Sequence, residues 1–169
     1  LTLPGAEHLI TAMQAMTKYL ISLPDYQERM RKSAAMTAAD RIAHGIVRRC
    51  GRQEQHIAVL LEHDAPMIAA TLGVLKSGKA YVALDPAYPV ARLANILEDA
   101  QVQTIIGDEA NATLAQELSA AGISVLSLAE LEASFGGEQL PLGSAKASAY
   151  LLYTSGSTGE PKAITQSHC

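Results

Sequence analysis

The run Tyr153-Thr-Ser-Gly-Ser-Thr-Gly-Glu-Pro-Lys162 holds the densest collection of residues able to do chemistry in this chain. Gly156 and Gly159 stand six and three positions before Lys162. Glycine reaches positive φ without penalty and lets the backbone approach a ligand closely. Successive N–H groups can then converge on an anion as a nest. Hydroxyls at Thr154, Ser155, Ser157 and Thr158 add donors that can follow phosphate oxygens, and Lys162 adds a point charge. Pro161 restrains the backbone just before that charge. The natural guest of such a loop is a polyphosphate. The order Gly-x-x-Gly-x-x-Lys is not the Walker A spacing, so a P-loop kinase or NTPase fails on geometry. A flexible Ser/Gly linker is the competing reading. A linker does not normally sit between two apolar strands, and it has no need of a Pro-Lys pair.

Something rigid must hold such a loop, and the rest of the chain reads as alternating strands and helices. His8 to Leu23 has apolar residues at helical spacing and is stopped by Pro24. Residues 24–36 carry no clear pattern. A helix is expected from about Thr37, as N-cap, to Arg49, with Ile42, Ala43, Ile46 and Val47 inward and Gly51 as its stop. His56 to Leu61 reads as a buried strand, and Asp64 opens a helix over Ala65 to Lys76. Lys79 to Leu84 is the next strand. The two prolines of Asp85-Pro-Ala-Tyr-Pro89 make the turn after it rigid. Further helices are expected at Val90 to Ala100 and Glu109 to Ala121, and strands at Gln103 to Gly107 and Ile123 to Leu128. Glu130 to Ala147 reads as a short helix and a loop. Ser148 to Tyr153 is the strand that enters the Gly/Ser/Thr loop at 154–162, and Ala163 to Gln166 resumes strand character. This alternation predicts an α/β fold, a mostly parallel sheet with helices on both faces, whose ligands collect at the carboxyl ends of strands.

The totals narrow the function classes. Of 169 residues, 49% are hydrophobic and 18% charged, which describes a globular segment and not a disordered one. One Phe and no Trp leave the core to Ala, Leu, Ile and Val. Net charge is −4, with no basic block, so neither nucleic acid nor a membrane surface is an expected partner. Arg48, Arg49 and Arg52 follow a helix end, where cations complement the dipole, and read as solvated surface. Cys50 and Cys169 have no metal spacing and read as free thiols; no signal peptide or bilayer-length apolar run is visible, so the expected compartment is the cytoplasm.

Other residues invite sharper roles. Asp85 is expected to cap its turn and not to bind a metal. Tyr81 and Tyr88 are expected to pack half-buried and not to stack on a base. His56 and His63, seven apart on and beyond a strand, point to opposite faces and are a poor metal pair. Asp99 has no evident partner.

The motif at 153–162 closely resembles the phosphate loop of the adenylate-forming superfamily, which includes peptide-synthetase adenylation domains, acyl-CoA synthetases and luciferases. Leu75-Lys-Ser-Gly-Lys-Ala-Tyr-Val-Ala-Leu-Asp-Pro-Ala-Tyr-Pro89, with Ala91 to Asp99 after it, looks like the second core motif of the amino-acid-activating branch. Ala39 to Ile46 is similar to the family's first core helix. The resemblance covers roughly residues 37–169, the expected N-terminal portion of an AMP-binding adenylation domain, with residues 1–36 as a helical lead-in. Leu84 to Pro89 and Ser157 favour the amino-acid branch over the acyl-CoA ligases.

The resemblance implies that an amino acid attacks the α-phosphate of Mg-ATP to give aminoacyl-AMP and pyrophosphate. The acyl group then passes to the phosphopantetheine thiol of a carrier protein. It also implies that Thr154, Ser155, Gly156, Ser157, Thr158, Gly159 and Lys162 hold the β- and γ-phosphates. Substrate-pocket residues, the acidic ligand of Mg2+ and the C-terminal lysine of the family would follow residue 169. No catalytic residue is therefore expected within the chain, which should need the rest of the adenylation domain to work. An acyl- or aryl-CoA ligase and a non-catalytic nucleotide-binding relative remain the alternatives. Two departures stand out: Ala163 replaces the family's usual Gly after Pro-Lys, and residues 24–36 do not resemble the usual lead-in. His168 falls where the family often has a histidine.

Overall fold

The computed structural model describes residues 34–134, 140–141, 144, 146–155 and 161–167. The expected helix at 8–23, Gly156 to Gly159, His168 and Cys169 lie outside the described residues.

The first described helix, α1 (Ala34–Cys50), begins three residues before the expected cap, so Thr37 sits inside it. Ala34, Ala35 and Met36 are among the residue types that cost a helix least, and the helix extends through them. Ile42, Ala43 and Ile46 are fully buried, and Gly51 leaves the helix at φ 73°, a conformation that favours glycine. Next come β1 (His56–Leu60), α2 (Ala65–Lys76), β2 (Ala80–Leu84) and α3 (Val90–Asp99). Asp64 caps α2 as expected, its carboxylate accepting from the Met67 N–H, with Pro66 in the first turn.

After β3 (Thr104–Gly107), helix α4 (Ala112–Leu118) starts later than the expected Glu109 and ends in a 3-10 turn at Ser119–Ala121. The Asp108 carboxylate accepts from the Asn111 backbone N–H at 3.0 Å and from Nδ2 at 2.8 Å. That local turn competes with the helix and delays its start. The chain closes with β4 (Ser124–Ser127), a short α5 (Leu128–Glu132), β5 (Ser148–Ser155) and β6 (Pro161–Ser167).

The six strands form one sheet in the order β4-β3-β1-β2-β5-β6. All neighbours pair in parallel except β5 and β6, which are antiparallel. Stepping outward from β1 to β2 and then back across β1 to β3 reverses direction. Right-handed crossovers then place α2 on one face and α3 and α4 on the other. The cores agree. Ile57, Val59, Tyr81 and Ile106 pack with residues of α1, α2 and α5; Ala58, Leu60, Val82 and Ile105 pack with residues of α3 and α4. Alternation along each buried strand feeds both cores, as the sequence pattern predicted.

Among the described residues, one charged side chain is nearly fully enclosed. Lys79, just before β2, is 1% exposed and its Nζ donates to the Gln53 carbonyl at 2.6 Å. Burial pulls its pKa below the ordinary lysine value, with Cys50 nearby acting in the other direction. The bond pins the connection after α1 to the start of β2.

Candidate functional site

The loop expected over 154–162 is narrower than its sequence suggested. Thr154 and Ser155 continue β5, and Pro161 and Lys162 begin β6. Thr154 pairs with Lys162 and Ser155 with Pro161, so the two strands of a hairpin bracket residues 156–160. Cross-strand pairing claims residues that a Gly/Ser/Thr composition assigns to a turn. Pro161 is tolerated because it is the first residue of an edge strand. The hairpin springs from the carboxyl end of β5, the side of a parallel sheet where ligands are bound.

The structure thus brings Thr154 and Lys162 together as backbone partners, and Ser155 lies next to them. Gly156, Ser157, Thr158 and Gly159 lie outside the described residues. Ala163, the departure from the family pattern, pairs with Tyr153 inside β6 and is exposed. Gln101 is the one non-glycine with positive φ among the described residues, so Ala163 needs no glycine conformation.

The upstream motif folds as a strand, a tight turn and a helix. The Asp85 carboxylate accepts from the Ala87 N–H at 2.9 Å, and the Tyr88 N–H donates to the Asp85 carbonyl at 3.0 Å. Asp85 is a turn-capping residue, as expected. The Arg92 guanidinium sits 4.1 Å above the Tyr88 ring, a cation–π contact that ties this turn to α3. Tyr81 is buried and its ring lies 5.5 Å from that of Tyr150, linking β2 to β5. Burial, and secondarily the neighbouring Tyr150, push its phenol up to about 12.

Sequence reasoning missed one contact beside the loop. The Tyr153 hydroxyl donates to Asp99 Oδ2 at 2.6 Å. Burial, then the hydrogen bond and charge of Asp99, raise the Tyr153 pKa well above the usual phenol value. The two residues are 54 apart in sequence, and nothing local signals their meeting. His56 Nδ1 lies 2.7 Å from the Ala100 carbonyl; a carbonyl only accepts, so that nitrogen carries the proton. His63 is exposed. Among the described residues no group of three His, Cys, Asp or Glu side chains could hold a metal ion. Within the same residues, no helix is long and apolar enough to cross a membrane. Arg49 is exposed and pairs with Glu130 at 2.9 Å, in line with a solvated surface cluster.

A cleft of about 610 Å³ opens at the other rim of the sheet, lined by Gln53, Gln55, His56, Gln101, Gln103 and Ser148 among others. Ser148 starts β5 and Ser155 ends it, so roughly 23 Å of extended strand separates this cleft from the far end of β5, at about 3.3 Å per residue. The cleft and the hairpin are separate features.

Comparison with known proteins supports the family resemblance of the sequence. AMB antimetabolite synthetase AmbB of Pseudomonas aeruginosa is 38% identical over 150 residues, 85% of this chain and 11% of AmbB. Surfactin synthase subunit 1 of Bacillus subtilis is 33% identical over 168 residues, 94% of this chain and 5% of that subunit. The chain therefore spans a small part of the curated relatives it matches. Among solved structures, the nonribosomal peptide synthetase FmoA3 bound to alpha-methyl-L-serine-AMP superimposes with a TM-score of 0.68 at 29% identity, over 79% of this chain and 15% of FmoA3. FmoA3 has also been solved with AMPPNP bound. Residues 17–169 match the model of the AMP-binding enzyme family, so the chain belongs to that family, within the adenylate-forming superfamily.

Proposed function

We propose that this chain supplies the phosphate-binding side of an ATP-dependent enzyme that activates an amino acid as aminoacyl-AMP and releases pyrophosphate. The product would then pass to the phosphopantetheine thiol of a carrier protein. The observation that carries the reading is the hairpin of β5 and β6, which joins the hydroxyl- and glycine-rich run to Lys162 at the carboxyl end of a parallel strand. The donor set fits a triphosphate. Backbone N–H groups around Gly156 and Gly159, the hydroxyls of Thr154, Ser155, Ser157 and Thr158, and the Lys162 ammonium would hold the β- and γ-phosphate oxygens. ATP supplies the electrophilic α-phosphorus and the pyrophosphate leaving group. The hairpin's part is to orient that leaving group and stabilise its charge as the carboxylate attacks. Mg2+ is expected to share the phosphates.

The amino-acid branch draws support from Leu84 to Pro89 and from the peptide-synthetase relatives. ATP–pyrophosphate exchange by the protein carrying this chain tests the reading, with amino acids set against aryl and fatty acids. Amino acids are expected to drive exchange. Lys162→Ala removes a charge-assisted contact of about 1.5–3 kcal/mol, so exchange efficiency should fall about 10- to 100-fold. Exchange with aryl or fatty acids alone would move the chain to the CoA-ligase branch. No exchange with any acid, or ATP affinity unchanged by Lys162→Ala, would refute the proposal.

A further inference from the structure

The phosphate hairpin is weakly tied to the sheet that carries it. β5 is in register with β2 at Tyr150 and Leu151; from Leu152 onward its partners lie on β6. The part nearest the loop is therefore a two-stranded ribbon, a form that is marginally stable unless packed against something else. Tyr153 is where it is packed. Its ring rests on the core beneath α3 and α4, and its hydroxyl donates to Asp99 at the end of α3.

Asp99 is oddly placed for a helix residue. Glu98 and Asp99 close α3, whose last turn has no basic side chain. Carboxylates at a helix C-terminus oppose the macrodipole, where cations would be favoured. A residue that is unfavourable for its own helix invites a role outside it, and the Tyr153 hydroxyl is its observed partner. The helix end is also well anchored. Leu93, Ile96 and Leu97 are buried, and the carbonyl of Ala100 accepts from His56 at the start of β1.

We propose that Asp99, acting through the Tyr153 hydroxyl, is a positioning residue that fixes the phosphate hairpin against α3. The two core motifs, 75–99 and 153–162, are then coupled physically, with the last residue of one holding the first residue of the other. This rests on the phosphate-binding role proposed above. The role assigned to Asp99 is to hold Tyr153, its observed partner.

The test uses the whole protein that carries this chain, with Tyr153→Phe, Asp99→Ala, the double variant and Asp99→Asn. In pyrophosphate exchange, each of the first two should raise KM for both ATP and pyrophosphate about two- to tenfold, the span of one ordinary hydrogen bond. KM for the acid substrate should stay within about twofold. The double variant should be no worse than the weaker single, because both remove one interaction. Asp99→Asn keeps an oxygen acceptor and should recover most of the loss. Wild-type KM for ATP in Asp99→Ala, additive losses in the double variant, or an equal rise in KM for all substrates would overturn the proposal. Amide hydrogen exchange separates it from the functional reading. If the wild type shows no pyrophosphate exchange, that reading fails, and the tether is judged on amides 152–155 and 162–164. Faster exchange there in Asp99→Ala, with α2 unchanged, supports the tether; unchanged exchange refutes it.

Discussion

Gly73 in α2 is the position where a single methyl should do most damage. A Cβ built there would lie 2.5 Å from Ile42 Cγ2, 2.7 Å from Ile42 Cβ and 3.2 Å from the Ala39 carbonyl oxygen. Carbon atoms in good contact sit about 3.5–4.0 Å apart, so α1 and α2 would have to separate by about 1 Å. Rotating Ile42 gives no relief, because its Cβ is fixed by the backbone and the clash includes that atom. Two terms then compete. Alanine in place of glycine in a helix interior stabilises by about 0.8–1 kcal/mol. Overpacking of a tight contact costs about 1–3 kcal/mol, and here the upper part of that range applies because backbone must move. The net expectation for Gly73→Ala is a loss of about 1–2 kcal/mol. For a unit of this size that is a fall in Tm of about 2–8 °C. Gly45→Ala is the internal control. Its Cβ would meet Leu131 Cδ2 at 2.8 Å and Ser134 Oγ at 2.9 Å, outer side-chain atoms, with the nearest backbone atom, Leu131 Cα, at 3.3 Å. That variant should lose less stability than Gly73→Ala, because no Cβ fixed by the backbone lies in its path. Urea unfolding followed by circular dichroism measures both. A Gly73→Ala protein as stable as wild type, or more so, would show that propensity outweighs the α1–α2 contact and refute the reasoning.

Alkaline stability should report on Tyr81. Its folded pKa of about 12 exceeds the ordinary 10.0, so the contribution is full below pH 10 and is lost between about pH 10 and 12 as the unfolded chain ionises first. The shift corresponds to about 2–3 kcal/mol; urea midpoints at pH 9 and pH 11 should diverge in wild type and less so in Tyr81→Phe, and equal slopes would count against it. Removing the cap of α2 with Asp64→Ala should cost about 0.5–1 kcal/mol, at the low end because the Met67 N–H lies 3.4 Å from the carboxylate. A thermal melt unchanged by Asp64→Ala would show that Pro66 alone starts the helix.

The short-range features were legible in the residues themselves. Gly51 does stop the helix before it with positive φ, Asp64 does cap, and Ile42, Ala43, Ile46 and Val47 do face inward. Each depends on neighbours within a turn or two, so periodicity and turn chemistry suffice. The family could be read for the same reason, since both core motifs are continuous runs. The errors fall where local preference met competition: α1 extends back through Ala34, the Asp108–Asn111 turn delays α4, and cross-strand pairing takes Thr154, Ser155, Pro161 and Lys162 out of the loop.

What tertiary structure alone decided is which distant pieces meet. No local pattern places β5 beside β2, since many strand orders would bury the same apolar faces; crossover handedness and packing choose among them. Nor does any local pattern join Tyr153 to Asp99. The residues that would hold phosphate were visible as a motif, whereas the support that aims them depends on contacts between separate elements, which exist only once the sheet and its helices have assembled.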